Sequence, residues 1–360
     1  MHAVNAVART TGQVRIVGAG LLGASLGHVL TSLGVDVVLA DASRTALSIA
    51  VDYGAGRRAG AEDAPSIVIV AVPPDATAAV VLAELAAWPT AIVTDVASVK
   101  QGILDDLIAA GADLQRYVGS HPMAGRERGG AIAARADLFL GRPWVLAPSA
   151  VSTPDALWAI ENVAADAGAI PIIMGAREHD DAVALASHVP QVVASALAAR
   201  LQGAVPEAIG LAGGGLRDTT RIAESDPALW VQILGANSGP VVDILRGVRD
   251  DLDAAIVALE NPDAPGARRA LADLLAAGNA GVASIPGKHG RSERFTSITV
   301  LIDDRPGELA RLLTEIGELG VNMEDLHLEH SPSAQVGLAE ISIVPEAEAD
   351  LIAALVERGW

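Results

Sequence analysis

Through the first 175 residues, short apolar runs alternate with stretches whose apolar residues recur every three or four positions. The runs at 14–17, 35–40, 66–74, 91–100, 116–125, 142–149 and 169–175 read as strands. They are rich in Val, Ile, Leu and Ala, as strands buried on both faces are. Between the first two, 21–33 has helical spacing. Strand and helix in repeated alternation predict a mostly parallel sheet with helices on its faces, a Rossmann-type α/β domain over 1–175. After Gly175 the pattern changes to one long helical stretch that contains Pro190. A proline there removes a backbone donor and predicts a kink, flanked by His188 and Gln191 on a shared face. Further helical stretches follow Gly213–Gly214–Gly215, predicting an all-α domain over 176–283 whose apolar helices are shared in a dimer. A linker over 284–295 leads to strand, turn, helix, strand, strand, helix over 296–360, the pattern of a small ferredoxin-like module. Its first helix places Leu309, Leu312, Leu313 and Ile316 at helical spacing.

The turn after the first strand carries Gly18, Gly20 and Gly23 as G-x-G-x-x-G, and the second strand ends at Asp41, 18 residues after Gly23. Each glycine has a physical task. Gly18 permits the tight turn, Gly20 lets the backbone approach a pyrophosphate at a helix N-terminus, and Gly23 allows close helix–strand packing. An acid at position 41 accepts hydrogen bonds from ribose hydroxyls and repels a 2′-phosphate, so NAD is expected over NADP, with nearby Arg44 blurring that preference. Leu22 within the fingerprint and Val72 late in the third strand complete the expected cofactor contacts.

Charge and composition narrow the field. Asp and Glu outnumber Lys and Arg by 44 to 25, a net charge of −19, which disfavours nucleic acid as a partner. Cysteine is absent, which excludes thiolate chemistry and structural disulfides. The N-terminus lacks a basic segment followed by an apolar one, and the purest apolar run, 67–72, is far too short for a bilayer. A cytoplasmic protein without membrane contact is the expectation. The stretches His327–Leu328–Glu329–His330 and 178–181 do not converge as ligands, so no metal site is expected.

Ligands of open α/β sheets bind outside the carboxyl ends of strands. Ser98 and His121 both fall on that edge, and imidazole titrates near neutral pH, which suits a proton acceptor. Beyond the fingerprint, "TDVASVK" (94–100), "GSHPMAGRE" (119–127), "HDDAVALASHVPQ" (179–191), "RDTTRIAESDPALW" (217–230) and "PGKHG" (286–290) resemble, in order, motifs of the prephenate/arogenate dehydrogenase family. The tail, with "DDRPGELARLL" (303–313) and "LGVNMEDL" (319–326), resembles an ACT domain, a module that binds amino acids as regulators.

The resemblance implies oxidative decarboxylation of prephenate to 4-hydroxyphenylpyruvate with NAD, in tyrosine biosynthesis. It makes His121 the proton acceptor and Ser98 its partner at the same hydroxyl. Arg221 becomes the bidentate carboxylate anchor, its fork held by an ion pair with Asp218. Glu127, His179 and Asp180 fit an ionic network that closes the site. Trp230 forms an apolar wall, and His188 looks toward the substrate. Two positions depart from the family pattern: Arg126 stands where a small hydroxyl residue is common, and Gln191 where some members carry histidine. Gln191 leaves prephenate and arogenate both open as substrates. In the tail, Asn322 is the expected contact for an amino-acid effector, tyrosine or phenylalanine.

Overall fold

The computed structural model describes residues 7–125, 129–285, 295–330 and 336–360. By contact, the chain divides into two units. One comprises residues 1–203 and 220–247, the other 204–219 and 248–360.

The first unit is built on an eight-stranded sheet. Its strands are β1 (Val14–Val17), β2 (Val37–Ala40), β3 (Arg57–Arg58), β4 (Ile67–Val70), β5 (Ile92–Asp95), β6 (Tyr117–Pro122), β7 (Pro143–Pro148) and β8 (Ile170–Ile173), in the order β3-β2-β1-β4-β5-β6-β7-β8. All neighbours run parallel except β6 and β7, which are antiparallel, His121 facing Val145 and Pro122 facing Trp144. The order reverses at β1, which pairs with β2 on one side and β4 on the other. The loops after β1 and β4 therefore diverge there and open a crevice.

Helices α1 (Leu21–Ser32), α2 (Arg44–Asp52) and α5 (Pro154–Asp166) cover one face, and α3 (Pro74–Ala87) and α4 (Gln101–Ala109) the other. Alternation along β4 explains the split. Ile67 and Ile69 join Leu26, Leu30, Leu47 and Ile160, whereas Val68 and Val70 join Val81, Leu85, Ile103 and Leu107. A fully buried side chain of this kind contributes about 1.5–3 kcal/mol, so both faces hold the sheet strongly.

A continuous helical run, 176–201, follows β8. It begins as α6 (Ala176–Val183), widens into a π turn over Ala184–His188, and continues as α7 (Val189–Ala198). This turn interrupts the regular helix just before Pro190, where a kink is expected. The Val189 N–H reaches back to the Ala184 carbonyl, a wider ring that absorbs the donor lost at the proline. By length and composition the run would suffice to cross a membrane, contrary to the reading of apolar runs alone. Its polar members His179, Asp180, His188 and Gln191 are nevertheless buried, so its inward face belongs to the folded unit. Two short helices, α8 (Pro206–Ile209) and α9 (Gly214–Thr220), precede α10 (Pro227–Ala236) and α11 (Ser238–Glu260), and α12 (Ala267–Val282) follows.

The second unit contains a three-stranded antiparallel sheet, β10-β11-β9, from β9 (Thr296–Asp303), β10 (Asp325–His330) and β11 (Val336–Ile343). Helices α13 (Glu308–Glu318) and α14 (Glu348–Glu357) pack on one face. Period-two alternation buries Ile298, Val300 and Ile302 against Leu312, Ile316, Leu351 and Leu355, while Leu301 points outward.

Candidate functional site

Sterics shape the fingerprint loop. Gly18 has φ +107°, and a Cβ there would lie 2.2 Å from the Ala71 carbonyl oxygen. A Cβ on Gly23 would lie 1.9 Å from the Gly18 carbonyl oxygen. No other residue type fits either position. Around Gly20, by contrast, a Cβ would meet nothing within 4 Å. Gly20 also starts α1 without any side-chain cap, leaving backbone N–H groups directed at open space. An open cradle before an uncapped helix fits a dinucleotide pyrophosphate. Asp41 lies beside it. Its carboxylate accepts from the Ala19 N–H at 2.6 Å and the Ser43 N–H at 2.6 Å, which fixes the acid at the loop. Arg44 is exposed at the start of α2, and Leu22 and Val72 are half-buried against the two cores.

His121 sits near the carboxyl end of β6, 9% exposed, and Ser98 is half-buried in the turn after β5. Behind His121 stands a polar chain the sequence did not disclose. His121 Nδ1 lies 2.8 Å from His179 Nε2, and His179 Nδ1 lies 2.7 Å from Asp180 Oδ1. Asp180 is fixed in turn by the backbone N–H groups of Lys100 and Gln101, both at 2.8 Å. These belong to the uncapped N-terminus of α4, where a carboxylate also meets the positive end of the helix dipole. His179 and Asp180, expected in a network around the substrate, are thus buried behind His121, at 0% and 4% exposure. Burial, together with the nearby His179, Lys100 and His188, holds the His121 pKa well below the usual imidazole range. The imidazole is therefore neutral at neutral pH, with one ring nitrogen unprotonated.

His188, expected to look toward substrate, is 1% exposed and turned to Asn237. The Asn237 amide nitrogen donates to the Asp180 carbonyl at 2.7 Å and faces His188 Nδ1 at 3.1 Å. A carbonyl cannot donate, so the amide nitrogen must face it, and its second hydrogen makes His188 Nδ1 an acceptor. Burial lowers the His188 pKa to about 4, with the Asp180 charge opposing that shift. Its ring meets Trp230 edge-to-face at 6.0 Å. Gln191 is buried, and its amide nitrogen donates to Ser225 Oγ at 2.8 Å.

Arg221 is exposed and opens a short turn, Arg221–Ala223, that packs against α7, the helix of Gln191. The expected Asp218 pair takes another form: Asp218 lies 4.0 Å from His327. Helix α9 ends at Thr220 and Arg221 starts a tighter turn, so the helical spacing that motivated the pairing ends between them. Glu127, Arg126 and the 286–290 motif lie outside the described residues. In the tail, Asn322 is exposed, and its amide donates to Glu324 at 2.7 Å.

A second buried group lies beneath this site. Asp95 accepts from Lys100 Nζ, from the Ala97 N–H at 2.9 Å and from the Tyr117 hydroxyl at 2.6 Å. Burial lowers the Lys100 pKa despite Asp95, and raises that of Tyr117.

Residues 26–173 match the family described as prephenate dehydrogenase, nucleotide-binding domain, and 175–273 match prephenate dehydrogenase, dimerization domain. A protein of Streptomyces niveus named "Probable prephenate dehydrogenase NovF" is 35% identical over 353 residues, covering 96% of this chain and 98% of that one. A crystal structure of prephenate dehydrogenase from A. aeolicus, in complex with hydroxyphenyl propionate and NAD+, superposes with a TM-score of 0.66. It is 26% identical and covers 76% of this chain and 99% of that one. The Synechocystis arogenate dehydrogenase structure gives 0.61 at 27% identity, covering 75% and 100%. Two consecutive domain matches and a relative aligned along nearly its whole length agree with the dinucleotide cradle and the buried histidine: the chain belongs to the prephenate dehydrogenase family.

Proposed function

We propose that this chain is an NAD-dependent oxidoreductase that converts prephenate to 4-hydroxyphenylpyruvate and CO2 in tyrosine biosynthesis. The observation that carries the reading is His121, a neutral imidazole at the sheet's ligand edge whose Nδ1 is engaged by His179, leaving Nε2 for the substrate hydroxyl. Gly18, Gly20, Leu22, Gly23, Asp41 and Val72 would hold NAD, which supplies the acceptor for the hydride from C4. His121 Nε2 takes the C4 hydroxyl proton as the carbonyl forms. When the ring carboxylate leaves as CO2, its electron pair aromatises the ring and returns to that oxygen, which recovers the proton from His121. No net proton is consumed, so the base must both accept and release it. Ser98 orients the hydroxyl, and Arg221 holds a substrate carboxylate with a fork that lysine lacks. Prephenate, then arogenate, assayed by NADH absorbance tests the reading; turnover of neither would refute it. His121→Asn should keep NAD binding and cut turnover by roughly 10²–10⁴.

Arogenate is the second reading, favoured by Gln191. With its nitrogen given to Ser225, its carbonyl oxygen is left as an acceptor, which suits arogenate's ammonium rather than a keto group.

We further infer a cytoplasmic homodimer formed through the helical segment, with domain boundaries at 175, 283 and 295. The tail is read as an ACT module that binds tyrosine near Asn322. Support comes from the two helices on an antiparallel sheet, and from the turn at Gly320, φ +73°, that presents Asn322. Calorimetric titration of tyrosine and phenylalanine into the full chain and into Asn322→Ala tests it. Equal binding by both proteins would remove Asn322 from the effector site.

A further inference from the structure

We infer that Asp180 and His179 are positioning residues that set the tautomer of His121 through a one-way chain of hydrogen bonds; this deepens the reading of His121 as base. Direction follows from donor and acceptor chemistry alone. Both oxygens of Asp180 face backbone N–H groups, which only donate, so the carboxylate is an acceptor toward its third neighbour, His179 Nδ1. His179 therefore carries a hydrogen on Nδ1. In the neutral ring that hydrogen leaves Nε2 bare, 2.8 Å from His121. Neutral His179 presents the Nε2 lone pair, and His121, 2.8 Å away, donates its Nδ1–H to it. What remains on His121 is an unprotonated Nε2, the atom a general base requires.

The chain also serves the charged state. When His121 takes a proton at Nε2, both its nitrogens are donors, and the Nδ1–H bond to His179 strengthens without any group turning. The imidazolium is then coupled to Asp180 through one ring. Because the anchors of Asp180 are the first N–H groups of α4, the geometry rests on a helix end rather than on a mobile side chain.

Two variants separate direction from mere packing. In Asp180→Asn, the amide has one acceptor oxygen for two backbone donors, and its NH2 turns His179 over. His179 Nε2–H then faces His121 Nδ1, and His121 keeps its hydrogen on Nε2, where it blocks the base. Turnover should fall by roughly 10²–10⁴ with NAD affinity unchanged. His179→Gln retains an acceptor oxygen and should exceed His179→Leu in turnover by about tenfold or more, with a pH profile closer to that of the unaltered protein.

The direct readout is 15N NMR of the full chain with labelled histidine, each signal assigned by substitution. The unaltered protein should show His121 protonated at Nδ1 and bare at Nε2, and Asp180→Asn should reverse this. A bare Nδ1 on His121 in the unaltered protein, or a doubly protonated His179, would overturn the inference, as would equal turnover by His179→Gln and His179→Leu. The spectrum needs no substrate. Failure of the prephenate assay with the expected tautomer would therefore strike the proposed function and leave the relay standing.

Discussion

Replacing Lys100 with methionine isolates the worth of the buried group beneath the site. Methionine matches the length of the lysine stem but carries no charge. Lys100 is 2% exposed and Asp95 0%, so the carboxylate left behind can recruit no water without opening the core. It keeps the Ala97 N–H and the Tyr117 hydroxyl, two neutral donors, and loses its counter-charge. Stranding one partner of a buried ion pair costs about 3–5 kcal/mol. A domain of some 200 residues loses about 2–4 °C in Tm per kcal/mol, so the first unfolding transition should drop by roughly 6–20 °C. Scanning calorimetry at pH 7.5 reads this. Adding Asp95→Asn to Lys100→Met removes the stranded charge and should recover at least half of the loss, since contacting residues couple by about 0.5–3 kcal/mol. A drop below about 3 °C in the single variant, or a double variant as unstable as the sum of the singles, would refute the charge argument.

Asp41→Ala should weaken NAD binding and lower discrimination against NADP, because the acid that anchors the Ala19 N–H and repels a 2′-phosphate is gone; steady-state constants for both cofactors check it. Arg221→Lys should raise KM for prephenate at least about tenfold and leave that for NAD nearly unchanged, whereas equal damage to both would mark a structural role. His121 and His188 both have folded pKa values below the unfolded value of about 6.5, so the unfolded chain binds more protons below that pH. Their contribution to stability is complete above about pH 6.5 and is lost as pH falls toward 4. Melting curves from pH 7.5 to 4.5 should show that decline, shallower in His188→Asn, and a Tm that rises on acidification through pH 6 would contradict it.

The α/β alternation was legible because burial on both faces leaves apolar runs, and because sterics around Gly18 and Gly23 tie the fingerprint to one geometry. Strand direction was not. A period of two reads the same either way, so nothing in 143–148 announces that β7 opposes β6. The tail's helices and strands followed from Leu312, Ile316, Ile298 and Val300, whose spacing alone sorts inside from outside. His121 drew notice for its place at the ligand edge of the predicted sheet, and it lies near the end of β6. Its link to His179 was not legible, since 58 positions separate them and only the fold brings β6 and α6 together. Asn237 gave no signal either: an asparagine between two apolar helices reads as a break, and only the fold shows it joining Asp180 to His188.

The π turn over Ala184–His188 carries a consequence for helical phase. An α-helix advances about 100° per residue, so positions 180 and 188 would stand roughly 80° apart around a regular helix. One residue accommodated in the wider turn subtracts about one such step, leaving them within about 20° of one another. That realignment is what lets a single asparagine amide reach both the Asp180 carbonyl and the His188 ring. Deleting one residue from 181–187 would shorten the chain yet preserve this alignment, and should be tolerated far better than an insertion there. Inserting one would rotate His188 away by a full step. The helix is in effect keyed, and its key is a length rather than a side chain.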